Sequence, residues 1–165
     1  LPIWIVEIMM PKKLVADMIA KYPEDGGLKA VSADLYLLTG ESDKYEKAIT
    51  SLNNEIKDPQ VFENLGVAAG EKENWDQAII YYEKSIELRP DSYPSQNNLA
   101  VAFINKGNLP ETTATEQIAL YTKAVVHLEK VMELKPDLKS VQQTLIGLYH
   151  FLDMKEKAAA MKSKM

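Results

Sequence analysis

A period of 34 runs through this chain and constrains its fold more than any other feature. Leu65-Gly66 returns as Leu99-Ala100, and Ala124 returns as Ala158, each one such period further on. Between these anchors the separations from Ala78 to Ala124, Tyr82 to Leu128 and Pro90 to Pro136 are all 46, one period plus a dozen positions, so one unit carries an insertion. Repetition on this scale means that each unit is one supersecondary element whose apolar face is buried only by stacking on its neighbours.

The grammar of a unit is clearest in residues 59–92. Phe62, Leu65, Gly66 and Ala69 fall on one helical stripe, Glu73-Asn74 make a break, and Ala78, Tyr82, Ser85 and Ile86 form a second stripe that Pro90 ends. That is a helix, a turn and a helix. Gly66 or Ala100 on the first helix and Ala78 or Ala124 on the second let the two helices approach closely, where a Leu would wedge them apart. In the next unit Thr113-Ala-Thr-Glu116 reads as a capping box, and Ile118, Tyr121, Val125, Leu128 and Met132 continue a stripe from it. The spacing predicts a helix over 114–134, lengthened by the insertion, and not a loop. A last unit offers Leu145, Tyr149 and Ala158.

With 46% hydrophobic residues over 165 positions, the chain has enough apolar material for one compact domain or a short array. Its formal net charge of -5 and the lack of any Lys or Arg run longer than two argue against a nucleic-acid or anionic-membrane surface. There is no cysteine, which removes disulfides, thiolate metal sites and a thiol nucleophile and leaves the compartment open. The start LPIWIVEIMM is apolar, but it soon reaches Pro11, holds Glu7 and lacks a basic flank, so it matches neither a membrane span nor a complete signal peptide. Leu1 in place of Met is what a processed or excised piece of a longer chain would show.

The spacing in residues 59–92 resembles the tetratricopeptide repeat (TPR), whose pattern sets a large residue at position 4, Leu at 7, a small residue at 8, an aromatic at 11, Ala at 20, an aromatic at 24, Ala at 27 and Pro at 32. Here those places hold Phe62, Leu65, Gly66, Ala69, Ala78, Tyr82, Ser85 and Pro90, with departures at Ala69 and Ser85. The following unit offers Leu99, Ala100, Phe103, Ala124, Leu128, Val131 and Pro136. Upstream, Ala33, Tyr36, Ala48 and Leu52 make a degenerate unit, and Val15, Met18 and Pro23 place residues 12–22 as the second helix of a repeat. The resemblance implies an all-α fold, a right-handed α-solenoid of stacked antiparallel helix pairs. The expected organisation is an apolar N-terminal segment at 1–11 and a single TPR-like domain at 12–165. Within that domain come a partial repeat at 12–27, a degenerate repeat at 28–58, a repeat at 59–92, a repeat with the insertion at 93–138, and a C-terminal repeat or capping helices at 139–165. The run from Leu128 onward also resembles the endings of bacterial TPR proteins, which implies a bacterial source without fixing the compartment; a soluble protein of the cytoplasm or the periplasm is the expectation.

No Gly-rich phosphate loop, paired-His metal motif or nucleophile with a neighbouring base occurs in the sequence, so it reads as non-catalytic, with no cofactor and no metal. His127 and His150 read as ordinary helix-surface or groove residues, and Glu71, Glu73, Asp76, Glu83 and Glu87 fall where caps and solvated faces take charge. Trp75 stands where TPR units carry a Tyr that packs between repeats and reads as core. Trp4 reads as a packing residue of an upstream helix or as an exposed contact.

In the TPR fold the first helices line the concave face, and the resemblance implies a peptide-binding groove formed by Gln60, Glu63, Asn64, Val67, Asn97, Asn98, Val101, Asn105, Gln143 and His150. Gly147 and Phe151 fall at inward positions of the last unit. Asn64 and Asn98 stand one period apart at position 6, where asparagines in several TPR families hold the backbone of an extended peptide. An amide side chain offers both a donor and an acceptor, so it satisfies a peptide unit without reading its side chain. The plainer alternative is a tolerant polar position. The carboxylate clamp of chaperone adaptors needs Lys or Arg at positions 2, 5 and 6, and Ala30, Glu63, Pro94 and Asn98 stand at such places instead. With Asp34, Glu63 and Glu71 near the groove, the expected partner is a neutral or basic protein or peptide segment. The alternative is a structural or assembly protein, a homo-oligomer that self-associates through its apolar start or its solenoid ends.

Overall fold

The computed structural model describes residues 3–39, 41, 44, 47–48, 51 and 57–163, with the side chains of 3–11, 37 and 38 outside that description. Every regular element among the described residues is a helix. The chain divides into two compact units, Leu1–Val61 and Phe62–Met165.

In the first unit α1 (Ile3–Lys21) packs on α2 (Gly26–Leu38), with Val15, Ala30 and Ala33 buried. The helix expected over residues 12–22 begins earlier, at Ile3, and runs through Pro11. A proline inside a helix gives up one backbone bond, here to the Glu7 carbonyl, and the flanking turns carry the helix past it. Asp25 caps α2, its carboxylate accepting from the Leu28 N–H at 3.0 Å. The packing of the apolar start, Trp4 included, and the Leu52 place of the degenerate repeat lie outside the described residues.

α3 (Pro59–Glu71) opens with a proline at its first position, where the missing N–H is no loss, and Asp58 accepts from the Gln60 N–H at 2.9 Å. From Phe62 onward the second unit consists of α3, α4 (Trp75–Leu88), α5 (Tyr93–Gly107), α6 (Ala114–Leu134), α7 (Lys139–Phe151) and α8 (Lys155–Lys162). Local signals set the ends. Asn74 caps α4, Ser92 caps α5, and Thr113 with Glu116 forms the capping box of α6. The helix predicted over 114–134 is therefore present with those bounds. Glu73 and Asp153 hold the same place in their units and share a positive φ, 57° and 55°. Each lets the next N–H reach back to a helix carbonyl, Asn74 to Ala69 at 3.0 Å and Met154 to Tyr149 at 2.7 Å.

The core of this unit is built at the repeated positions. Phe62, Leu99, Leu128, Val131 and Leu145 are fully buried, each such side chain contributing roughly 1.5–3 kcal/mol of transfer free energy. Ala78, Ala100 and Ala124 are buried where the helices approach. At Gly66 the neighbour is a ring and not a backbone: a Cβ there would lie 2.5 Å from Tyr82 Cε1. Gly107 repeats the device, with a Cβ placed 2.9 Å from Tyr121 Cε1. Trp75, expected in the core, is only half-buried, its ring 3.5 Å from where a Cβ at Gly70 would sit.

Candidate functional site

α3, α5 and α7 each bury one side and leave the other to solvent. Phe62, Gly66 and Ala69 face the core on α3, Leu99, Ala100 and Phe103 on α5, and Val141, Leu145 and Tyr149 on α7. The opposite sides hold most of the groove set read from the sequence. Asn64 is exposed on α3 and Val67 is 41% exposed. On α5, Asn97, Asn98 and Asn105 are half-buried around Val101, which is 42% exposed. Gln143 and His150 are exposed on α7. Gln60, exposed in the first turn of α3, belongs to the first unit. Among the described residues the side chains of Asn97, Asn98 and Asn105 make no hydrogen bond, so their amides are available.

Glu63 departs from the expectation. Its Oε2 accepts from Ser95 Oγ at 2.7 Å and lies 3.3 Å from Ser92 Oγ and 3.5 Å from Arg89 Nη2. Ser95 Oγ is in turn 2.9 Å from the hydroxyls of both Ser85 and Ser92. All three serines are buried, so the carboxylate closes a polar network joining α3, α4 and the start of α5. One unit on, Ser85, Ser92 and Ser95 correspond to Val131, Leu138 and Val141, and the same joint is apolar. The departure of Ser85 from the repeat pattern thus has its partner in Ser95, on the following helix and invisible to a search for periodicity.

Residues 59–92, the α3–α4 pair, match the family model of the tetratricopeptide repeat. They form a TPR. Solved structures extend the likeness of fold to nearly the whole chain. The human IFIT1 dimer with PPP-AAAA is 18% identical over 91% of this chain and 34% of its own, with a TM-score of 0.58. MamA is 15% identical over 93% of this chain and 83% of its own, TM-score 0.58. YrrB, a TPR protein with an unusual peptide-binding site, is 14% identical over 97% of this chain and 77% of its own, TM-score 0.57. The chain spans about a third of the length of IFIT1. No curated protein matches it in sequence.

In TPR terms Asn64 and Asn98 stand at position 6, and Val67 and Val101 at position 9, of successive units. At position 4, where the TPR pattern has a large residue, Gln96 and Gln142 do work that the sequence did not suggest. Gln96 Nε2 donates to the Pro90 carbonyl at 2.9 Å, and Gln142 Nε2 donates to the Pro136 carbonyl at 2.9 Å. Each satisfies a carbonyl left open after the preceding helix ends. The signal was available: both glutamines stand at one fixed interval after the proline that ends a unit. With its nitrogen so engaged, Gln96 accepts through Oε1, and His127 Nδ1 at 2.7 Å is the donor. Burial holds the His127 pKa below its ordinary value, and the ring stacks on Phe103 with centroids 5.9 Å apart. His127 is a packing residue. Tyr82, over Gly66, is pushed up to about 12 by burial and by the carboxylates of Glu63 and Glu71, so its hydroxyl stays neutral.

The insertion walls a cleft of about 390 Å³ lined by Leu109, Ala119, Leu120 and the ion-paired Asp76 and Lys106. No group of three or more His, Asp or Glu able to hold a metal occurs among the described residues, and no helix among them is long and apolar enough to cross a membrane.

Proposed function

We propose that the chain is a non-catalytic binding module that holds an extended peptide segment of a partner protein, neutral or basic in character, along the solvent-facing sides of α3, α5 and α7. One observation carries the reading: Asn64 with Val67, and Asn98 with Val101, form matched rungs one period apart, and in both the valine is about two-fifths exposed. Packing calls for an apolar side chain at neither place. A peptide laid across the rungs would cover the valines while the amides met its backbone. Likeness of fold to YrrB supports the class of activity and nothing finer. Since Glu63 is held internally, the charge near the rungs falls to Glu71, which is exposed and favours a neutral or basic segment. The same reading keeps a bacterial cytoplasm or periplasm as the compartment.

The test is Asn64→Ala with Asn98→Ala, titrated with a peptide selected on the wild type from a random dodecapeptide library. Each amide contact contributes roughly 0.5–1.5 kcal/mol, so losing both should weaken binding about tenfold or more. For Asn98→Ala alone the melting temperature should hold or rise slightly, since Ala is the better helix former. Equal affinity in the double variant, together with loss on changing Ile118 or Val126 on the exposed side of α6, would replace this reading with an assembly surface.

A further inference from the structure

We infer that the bound segment carries a large apolar or aromatic side chain that seats beside Phe151, in the space left by Gly147 on α7. The inference rests on the peptide-binding reading and adds to it the chemistry of one ligand residue. Phe151 ends α7 and is 51% exposed, a large ring kept in water. It meets Tyr121 edge-on, with centroids 4.8 Å apart and planes at 63°. Tyr121 is itself fixed: its ring lies over Gly107, and its hydroxyl donates to Asn108 Oδ1 and accepts from Gln117 Nε2 at 3.2 Å. An immobilised ring therefore holds Phe151 from behind while half of its surface remains open.

One helical turn back stands Gly147, where a Cβ would meet nothing within 4 Å. Glycine within a helix is unfavourable, and at Gly66 and Gly107 an aromatic ring requires it. At Gly147 no neighbour does. Gly147 also holds the place of Val67 and Val101 in the two preceding units, so the apolar rung is here replaced by a vacancy next to an aromatic wall. Gln143 and Thr144, exposed on the same helix, are uncharged. A Leu, Met, Phe, Tyr or Trp side chain from the ligand would supply the missing apolar rung and pack on the ring; Phe151 then serves as a preorganised anchor point.

The experiment uses the full chain and peptides selected from the random dodecapeptide library. Selected sequences should be enriched in a large apolar or aromatic residue at one fixed position. With one such peptide, Phe151→Ala should weaken binding about tenfold or more, and Phe151→Tyr should retain most of it. Gly147→Leu should weaken binding and yet raise the melting temperature, because Leu enters open space and is the better helix former. Opposite shifts in affinity and stability separate a filled seat from a damaged fold. Peptides that need Asn64 and Asn98 but show no such enrichment, and that bind Phe151→Ala as tightly as the wild type, would overturn the seat and leave the groove standing. No selected peptide, or peptides indifferent to Asn64→Ala with Asn98→Ala, would overturn both.

Discussion

Replacing Gly66 by Leu should lower the unfolding free energy by about 3 kcal/mol, read from urea denaturation, although Leu is the better helix former. The sign is set by the Tyr82 ring, whose Cε1, Cδ1 and Cζ stand 2.5, 2.6 and 2.8 Å from the place a Cβ would take. Those atoms are the body of the ring, and Tyr82 is buried, so it has little room to withdraw. Helix propensity returns at most about 1 kcal/mol, which the overlap exceeds. Tyr82→Ala alone should cost about 3–5 kcal/mol by cavity formation. In the Gly66→Leu background the same change should cost much less, because the new side chain fills the room the ring vacates. Additive losses would mean that the two residues do not meet.

Ser95→Ala should cost about 1–3 kcal/mol by the same measurement, a large effect for the removal of one oxygen. The hydroxyl donates to Glu63 and is bonded to Ser85 and Ser92, so its loss leaves several buried polar groups short of a partner at once. Adding Glu63→Leu to Ser95→Ala should not add its full separate cost, since the carboxylate that needed the donor is gone. The next joint shows that the fold does not require this network, because Val131 and Val141 fill the corresponding places and are buried. Polar and apolar solutions to one packing problem thus stand side by side in a single chain.

The features legible in the sequence are those with local or periodic signals. The period locates the helix pairs of the second unit, and Thr113 with Glu116 fixes the start of α6 from a single turn of chain. Small residues at the helix crossings are legible as well, although the partner of Gly66 is not, because a ring on the following helix, that of Tyr82, supplies the contact. What escapes depends on distant partners. Glu63 has the position of a groove carboxylate in its helix, and its fate is decided by Ser95, on α5. Gln96 departs from the pattern at position 4, and the reason lies in the Pro90 carbonyl and His127 on either side of its amide. Pro11 stands at the boundary expected between the apolar start and the partial repeat, whereas α1 runs through it. For the candidate site, the solvent-facing placement of Asn64, Val67 and Val101, with Asn98 half-buried beside them, follows from the register of α3 and α5, while the vacancy at Gly147 beside Phe151 emerges only from the arrangement of α6 and α7.

The most direct measurement of peptide binding on the first helices is an amide chemical-shift map of the chain while a selected dodecapeptide is added. The largest changes should fall at Asn64, Val67, Asn97, Asn98 and Val101 and continue to Gly147 and Phe151, with Ile80, Ile118 and Val126 on the exposed sides of α4 and α6 left in place. Changes centred on Ile80, Ile118 and Val126, with the asparagine rungs unmoved, would contradict it.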